Sequence, residues 1–473
     1  MSDLLSIGRS GVLAYQGALQ TIGENVTNAD TAGYSRRSVV LKEQSTYIGA
    51  FSLNRSAGAF GGVQATGVQR VWDQYKASNA WTSNSDASGA STRTQYLSTV
   101  ESLLNDSDTG LGTRLTAIFA TATQLSANPA DTGLRQAFLG AVSDATTAFH
   151  TTAANLTKLS GTISTQANLL VGQSNDALDN LAKINLALRI TPSTTAARAQ
   201  LEDQRDALLG TLSGAMAIDT TFAADGSVSV RMNDVSGPLL LSNTAVSASQ
   251  VRLQTATDGR LSISVQTEDD TTLAATPTGG ALAGLVDGAA TTAGRRQQLD
   301  GMATGLVDLL NGFQAAGLTD AGVAGTDMLA GTDAASIKLV DPFGIADIAA
   351  AGVAPPDPAA PPVDPLDPPV PPVAGAANGN LLALVGDNRG PDGLEQRWKT
   401  MVTDQSLQVS SAKLQESAAS TRKDTAYTAL DETTGVDLDN EAAELLRFQQ
   451  AYSASAKVIQ AARETLQTIL DLF

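Results

Sequence analysis

LDNEAAELLRFQQAYSASAKVIQAARETLQTILDLF, residues 438–473, contains no proline or glycine. Leu438, Ala442, Leu445, Gln449, Tyr452, Ala456, Ile459, Arg463, Leu466, Leu470 and Phe473 recur at alternating spacings of three and four. That repeat lays one largely apolar stripe along one side of a helix. Asp437 and Asp439 are suitable caps, and Glu441 and Glu444 lie near the positive end of the helix dipole. A helix of about 35 residues is roughly 50 Å long. A buried face of a compact bundle would explain Leu466, Leu470 and Phe473 equally well. What favours a coiled coil is the other end of the chain, where Leu5, Gly8, Val12, Tyr15, Leu19, Ile22, Val26 and Ala29 repeat in the same way. Residues 3–29 carry only Asp3, Arg9 and Glu24 as charges, so this helix is expected to be packed on several sides. Two striped termini separated by the whole chain predict a terminal coiled coil, antiparallel or side by side, and a protein that assembles.

Bulk composition narrows the classes of function. The 473 residues allow about three domains. The net charge of −18 and pI near 4.4 disfavour nucleic acid and anionic lipid as partners. With no cysteine there are neither disulfides nor thiolate metal sites, and a single histidine, His150, leaves little room for zinc sites or His-centred triads. No run is apolar for long enough to span a bilayer, so no membrane insertion is expected. The opening MSDLLSIGRSGVLAYQ lacks the basic and apolar blocks of a secretory signal, which predicts that any export proceeds without a cleaved leader.

Between the ends the periodicity changes twice. Asn28, Asp30, Thr31 and Gly33 form a turn after the first helix, and β-prone pieces follow to residue 72. Residues 76–190 read as long helices broken at NDSDTG and Asn128-Pro129, with a further helix over 196–212. From 216 the period becomes two, and Asp225-Gly226 and Asp258-Gly259 mark hairpins. Helical spacing returns over 284–316 and 391–431. APPDPAAPPVDPLDPPVPPV, residues 354–373, can propagate neither helix nor sheet and reads as a spacer. The predicted fold is mainly α and multidomain. Residues 1–40 with 433–473 form an inner coiled-coil layer. Residues 41–215 with 284–320 and 385–432 form a long-helix bundle, 216–283 a small inserted β domain, and 321–384 an irregular segment holding the Pro-rich insert.

Signals of catalysis are weak. His150 reads as a packing or surface residue. Asp106 and Asp108 lack the acidic loop of a calcium site, and the Asp269-Asp270 pair beside Glu268 reads as a solvated turn. The glycines at 58, 61 and 62 neither follow a buried strand nor open a helix. No catalytic, cofactor-binding or metal-binding residue is expected, and the chain is read as no enzyme.

Asn25-Val-Thr-Asn-Ala-Asp-Thr-Ala-Gly-Tyr-Ser-Arg-Arg37, behind a heptad helix, resembles the signature of bacterial flagellar axial proteins. The Gly33-Tyr34-Ser35-Arg36 form is nearest to the branch that joins hook to filament. LLRFQQAYSASAKVIQAARETLQTIL (445–470), GGVQATGVQRVWDQY (61–75), LSANPADTGLRQAFLGAV (125–142), LEDQRDALLGTLS (201–213) and the GALAGLVDG segment extend the resemblance. It covers roughly the first 220 and last 90 residues. Ala32 stands where the family commonly has proline, and Arg37 where it commonly has glutamine. The resemblance implies an exported structural subunit of the extracellular flagellum. Such a subunit forms one ring between hook and filament and leaves the cell through the type III apparatus. Implied partners are copies of itself, the hook protein, a second junction protein (hook-associated protein 3) and an export chaperone on the C-terminal helix. The residues expected to carry assembly are Leu5, Val12, Leu19, Ile22, Val26, Asn28, Thr31, Gly33 and Tyr34 at one end. At the other they are Leu438, Leu445, Leu446, Phe448, Tyr452, Ile459, Leu466, Leu470 and Phe473. The terminal helices are expected to be loose in the monomer and firm in the polymer. The alternatives are a hook or rod subunit, or a secreted adhesin or hydrolase with axial-type ends.

Overall fold

The computed structural model describes residues 2–31, 33–43, 61–105, 109–354, 373–387, 390 and 392–471. Phe473, Asp106, Asp108, Gly58 and all but the two ends of the Pro-rich segment lie outside the described residues.

The chain opens with α1 (Ser2–Thr27) and an antiparallel hairpin, β1 (Arg37–Glu43) and β2 (Val63–Arg70). The helical body starts with α2 (Gln74–Leu103), α3 (Leu111–Ala127), α4 (Thr132–Ile190) and α5 (Ala196–Ala215). Side-chain caps mark where helices begin. Asp73 accepts from Lys76 N at 3.1 Å, and Asp131 accepts from Leu134 N at 2.9 Å. The stretch from 132 to 190 is one unbroken helix of 59 residues, about 90 Å long. It holds together because Phe138, Val142, Phe149, Leu156, Ile163, Leu178 and Leu181 keep one continuous buried stripe.

Two three-stranded antiparallel sheets follow. The first comprises β3 (Ile218–Phe222), β4 (Val228–Met232) and β5 (Leu239–Leu241), and the second β6 (Gln250–Thr255), β7 (Leu261–Gln266) and β8 (Thr272–Ala275). The expected hairpin turns are present, with Gly226 at φ 76° and Gly259 at φ 91°. Val228, Val230 and Met232 alternate inward on β4, as do Leu261, Ile263 and Val265 on β7. A three-stranded sheet buries little alone, and these faces join the core of the helical body. Two asparagines of α4 pair with strand backbone. Asn185 bonds Val228 N and O at 2.9 and 2.8 Å, and Asn175 bonds Val251 N and O at 2.9 and 3.0 Å.

The body is completed by α6 (Gly280–Ala316), α7 (Gly379–Asp387) and α8 (Leu394–Thr434), and the chain closes with α9 (Leu438–Leu470). Residues 321–384 depart from the irregular segment read from the sequence. β9 (Gly317–Leu318) pairs with β12 (Ala351–Gly352), and β10 (Leu329–Ala330) with β11 (Lys338–Leu339). Met328, Leu329, Ile337 and Ile348 are buried in the body's core, and Leu381 and Leu384 of α7 join them. Strands of two residues are too short to show a period, so only burial reveals them. His150 on α4 shares a hydrogen bond of 2.6 Å with Ile337 O and fastens this segment to the body.

Candidate assembly interface

α1 and α9 lie antiparallel, with the start of one against the end of the other. Gly8 faces Ile459, Gly11 faces Ser455, the rings of Tyr15 and Phe448 are 6.0 Å apart, and Asn25 meets Glu441. The glycines explain the close approach. A Cβ on Gly8 would sit 2.6 Å from Ile459 Cγ1, and one on Gly11 2.5 Å from Ser455 Oγ. Asp437 caps α9 by accepting from Asp439 N at 2.9 Å.

The stripe read from the sequence meets α1 only in part: its Ile459 packs on Gly8, while most of its large residues lie outside the contact. Glu441 and Ala462 are the buried residues of α9, on a face shared with Phe448 and Ser455 at intervals of seven. Leu445 and Ile459 flank that face and are half-buried. Leu438, Leu446, Tyr452, Leu466 and Leu470 point to solvent. Gly8 and Gly11 bring the two helices close, so that Ile459 and Ser455 meet them while Leu446, Leu466 and Leu470 stay outside the contact. On α1, Ile22 is buried, Leu5, Val12 and Leu19 are half-buried, and Val26 is exposed. Asn28 and Thr31 serve the turn. Asn28 Nδ2 donates to Glu24 O at 2.9 Å, and Gly33 takes φ 79°.

A polar cluster at the body end of the pair escaped the sequence reading. Asn25 is 1% exposed and uses its full amide capacity. Its Oδ1 accepts from Tyr34 Oη at 2.8 Å and Arg37 N at 3.0 Å, while Nδ2 donates to Arg37 O at 2.8 Å and Glu441 Oε2 at 3.1 Å. Arg36 Nε donates to Glu441 Oε1 at 2.6 Å, and Glu441 is fully buried. The charges continue onto the body. Arg37 pairs with Asp203 at 2.9 Å and stacks on Tyr34, and Arg70 donates to Asp206 at 2.6 Å. Arg70 Nε approaches Asp203 Oδ1 to 2.8 Å as an ion contact, without the alignment of a hydrogen bond. Arg36 N also donates to Thr434 O at 2.7 Å, tying the motif to the end of α8.

Burial pushes the Asp203 carboxyl above its ordinary value, against the pull of Arg70 and Arg37. Burial likewise raises the Tyr34 hydroxyl, with Arg37 opposing. The arrangement supplies fixed charge pairs between three chain segments. The sequence signal that could have exposed it is Glu441 itself, a carboxylate on the same seven-residue line as Phe448, Ser455 and Ala462. Among the described residues no group of three or more His, Cys, Asp or Glu is placed to hold a metal ion, and no helix is long and apolar enough to cross a membrane.

Residues 97–329 match the family described as flagellar hook-associated protein FlgK helical domain, and 429–472 match flagellar basal body rod FlgEFG protein C-terminal. Flagellar hook-associated protein 1 of Salmonella typhimurium is 30% identical over 49% of this chain and 41% of its own length. The chain thus matches about two fifths of that relative. The protein of the same name from Bacillus subtilis is 24% identical across 99% of this chain and 97% of its own length. In fold, the flagellar hook junction protein FlgK from Burkholderia pseudomallei superposes with a TM-score of 0.64 at 15% identity, covering 74% of this chain and 99% of that one.

Proposed function

We propose, since this chain belongs to the flagellar hook-associated protein 1 family, that it is a structural subunit joining the flagellar hook to the filament. The observation that carries this reading is the antiparallel α1–α9 pair, whose outer sides expose Leu4, Leu13, Leu446, Leu466 and Leu470. An isolated pair of helices with this much apolar surface in water gains by packing laterally against copies of itself, at roughly 25 cal/mol per Å² covered. Most of the assembly residues read from the sequence fit this role in three groups. Leu438, Leu446, Tyr452, Leu466 and Leu470 face outward toward neighbouring subunits, while Ile22, Phe448 and Ile459 hold the pair together. Asn28, Thr31, Gly33 and Tyr34 set the bend between pair and body.

The role is mechanical and involves no catalysis. The subunit forms a ring on the extracellular flagellum, with the hook protein on one side and the second junction protein on the other. It reaches that place through the type III export apparatus, with a chaperone covering the exposed apolar side of α9 beforehand. Division of the chain into inner, middle and outer layers follows the same logic. The pair lies innermost, the body around it, and the 216–283 sheets and the Pro-rich segment outermost.

Removing 438–473 tests the reading in cells. The expected outcome is hooks without filaments and filament subunits shed into the medium; normal filaments would refute it. A hook or rod subunit is the second reading, favoured only by the rod-type match of 429–472. Under that reading the purified chain alone grows long tubes.

A further inference from the structure

We infer that Asn25 and Glu441 act as a one-ended clamp, which keeps the body end of the α1–α9 pair closed in the isolated chain while the far end opens. The inference concerns the free subunit and goes beyond assembly. The two ends of the pair are built differently. At the body end, Glu441 is buried and receives hydrogen bonds from Arg36 and Asn25. Asn25 in turn is held by Tyr34 and by both backbone groups of Arg37. A buried carboxylate stripped of such partners is strongly unfavourable, so the cluster opens only as a unit. The same end is also where the chain enters and leaves the pair, through residues 28–36 and 435–437, so closing it costs little loop entropy.

The far end has neither advantage. Beyond Ala462 every described residue of α9 is exposed, Leu466 by 37% and Leu470 by 65%, and Leu4 of α1 is 48% exposed. Contact there is packing without buried charge, of Ile459 and Ser455 on Gly8 and Gly11 and of Gly62 on Ile7 and Ser10. Gly8 and Gly11 further weaken this half of α1 as an isolated helix, because glycine is a poor helix former. The sequence alone predicted that both terminal helices loosen throughout; the cluster divides them into a held half and a free half. A held half would present the free half in one direction, so each incoming subunit would have only the distal turns left to order.

Hydrogen exchange on the monomeric full-length chain tests the clamp. Amides of 18–27 and 441–450 should exchange at least about tenfold more slowly than those of 4–10 and 461–470. Glu441→Ala and Asn25→Ala should each abolish that difference while α4 amides between 138 and 181 stay protected, which shows that the body remains folded. Glu441→Gln, which keeps the shape and one amide bond, should lose part of it. Equal exchange at the two ends, fast or slow, would overturn the clamp, as would a gradient that survives Glu441→Ala.

Discussion

Asp225 opens the turn between β3 and β4, and its Oδ1 accepts from Ser227 N at 3.0 Å and Ser227 Oγ at 2.5 Å. These two bonds hold the carboxyl below its ordinary value, the hydroxyl being the larger cause. A depressed carboxyl stabilises the folded chain above the ordinary carboxylate pKa and loses that contribution as pH falls through the folded value. Ser227→Ala should therefore move the Asp225 titration upward, part of the way to the ordinary value because the backbone bond survives. Asp333, held low in the same way by Ser336, should not move. Carboxyl-carbon NMR against pH reads both; an unmoved Asp225 refutes the assignment. Asp203 has the opposite sign. Its folded pKa is raised by burial, so its contribution is present at low pH and declines as pH rises through the folded value. Asp225-Gly226 was legible in the sequence because a turn is encoded by adjacent residues. The Asn25–Glu441 bond was not, because it joins positions 416 apart and no local pattern reports a partner so distant.

Among the elements, α2 and α6 show how a chain poor in aromatics builds a tight bundle. A Cβ on Gly284 would lie 2.7 Å from Gly89 O and 2.8 Å from Arg93 N, and one on Gly288 would lie 2.9 Å from Tyr96 Cβ. The first two obstacles are backbone atoms and cannot rotate away. Gly284→Ala gains up to about 1 kcal/mol of helix propensity but forces the two helices apart, a cost of about 1–3 kcal/mol. The clash should win, and the melting temperature should fall. Gly161 and Gly172 on α4 have open space where a Cβ would stand, so alanine there should raise stability by roughly 0.5–1 kcal/mol. Thermal unfolding of the three variants decides it, and a neutral Gly284→Ala would show that the seam is looser than drawn. The helices themselves were readable from their period, since a buried stripe repeats every three or four residues. The face of α9 that meets α1 was not. Periodicity found Ile459, which packs on Gly8, but not Ser455 on Gly11 or the burial of Glu441 and Ala462, since small and polar residues carry almost no apolar signal.

At the scale of the whole molecule, the pair and the body are energetically separate. The continuous apolar core runs from Ala77 to Met401 and includes the sheets, but among the described residues none of α1 or α9 belongs to it. The pair meets the body through ion pairs and hydrogen bonds of the residue 34–37 segment, Arg70, Asp203 and Glu441. The pairs of Arg37 and Arg70 with Asp203 remain when α9 is removed, and Arg36, itself partly exposed, exchanges Glu441 for water, so the loss is small beside the stability of a body of this size. A chain ending at Asp437 should therefore unfold at nearly the temperature of the full chain, within about 2 °C, with the body's helical signal retained. What it should lose is the capacity to join other subunits, because the exposed apolar side of α9 goes with the deleted segment. A drop of more than roughly 5 °C would mean that α9 supports the body directly. The division of labour would then fail, since a segment that the body needs in order to fold is not free to be ordered by its neighbours.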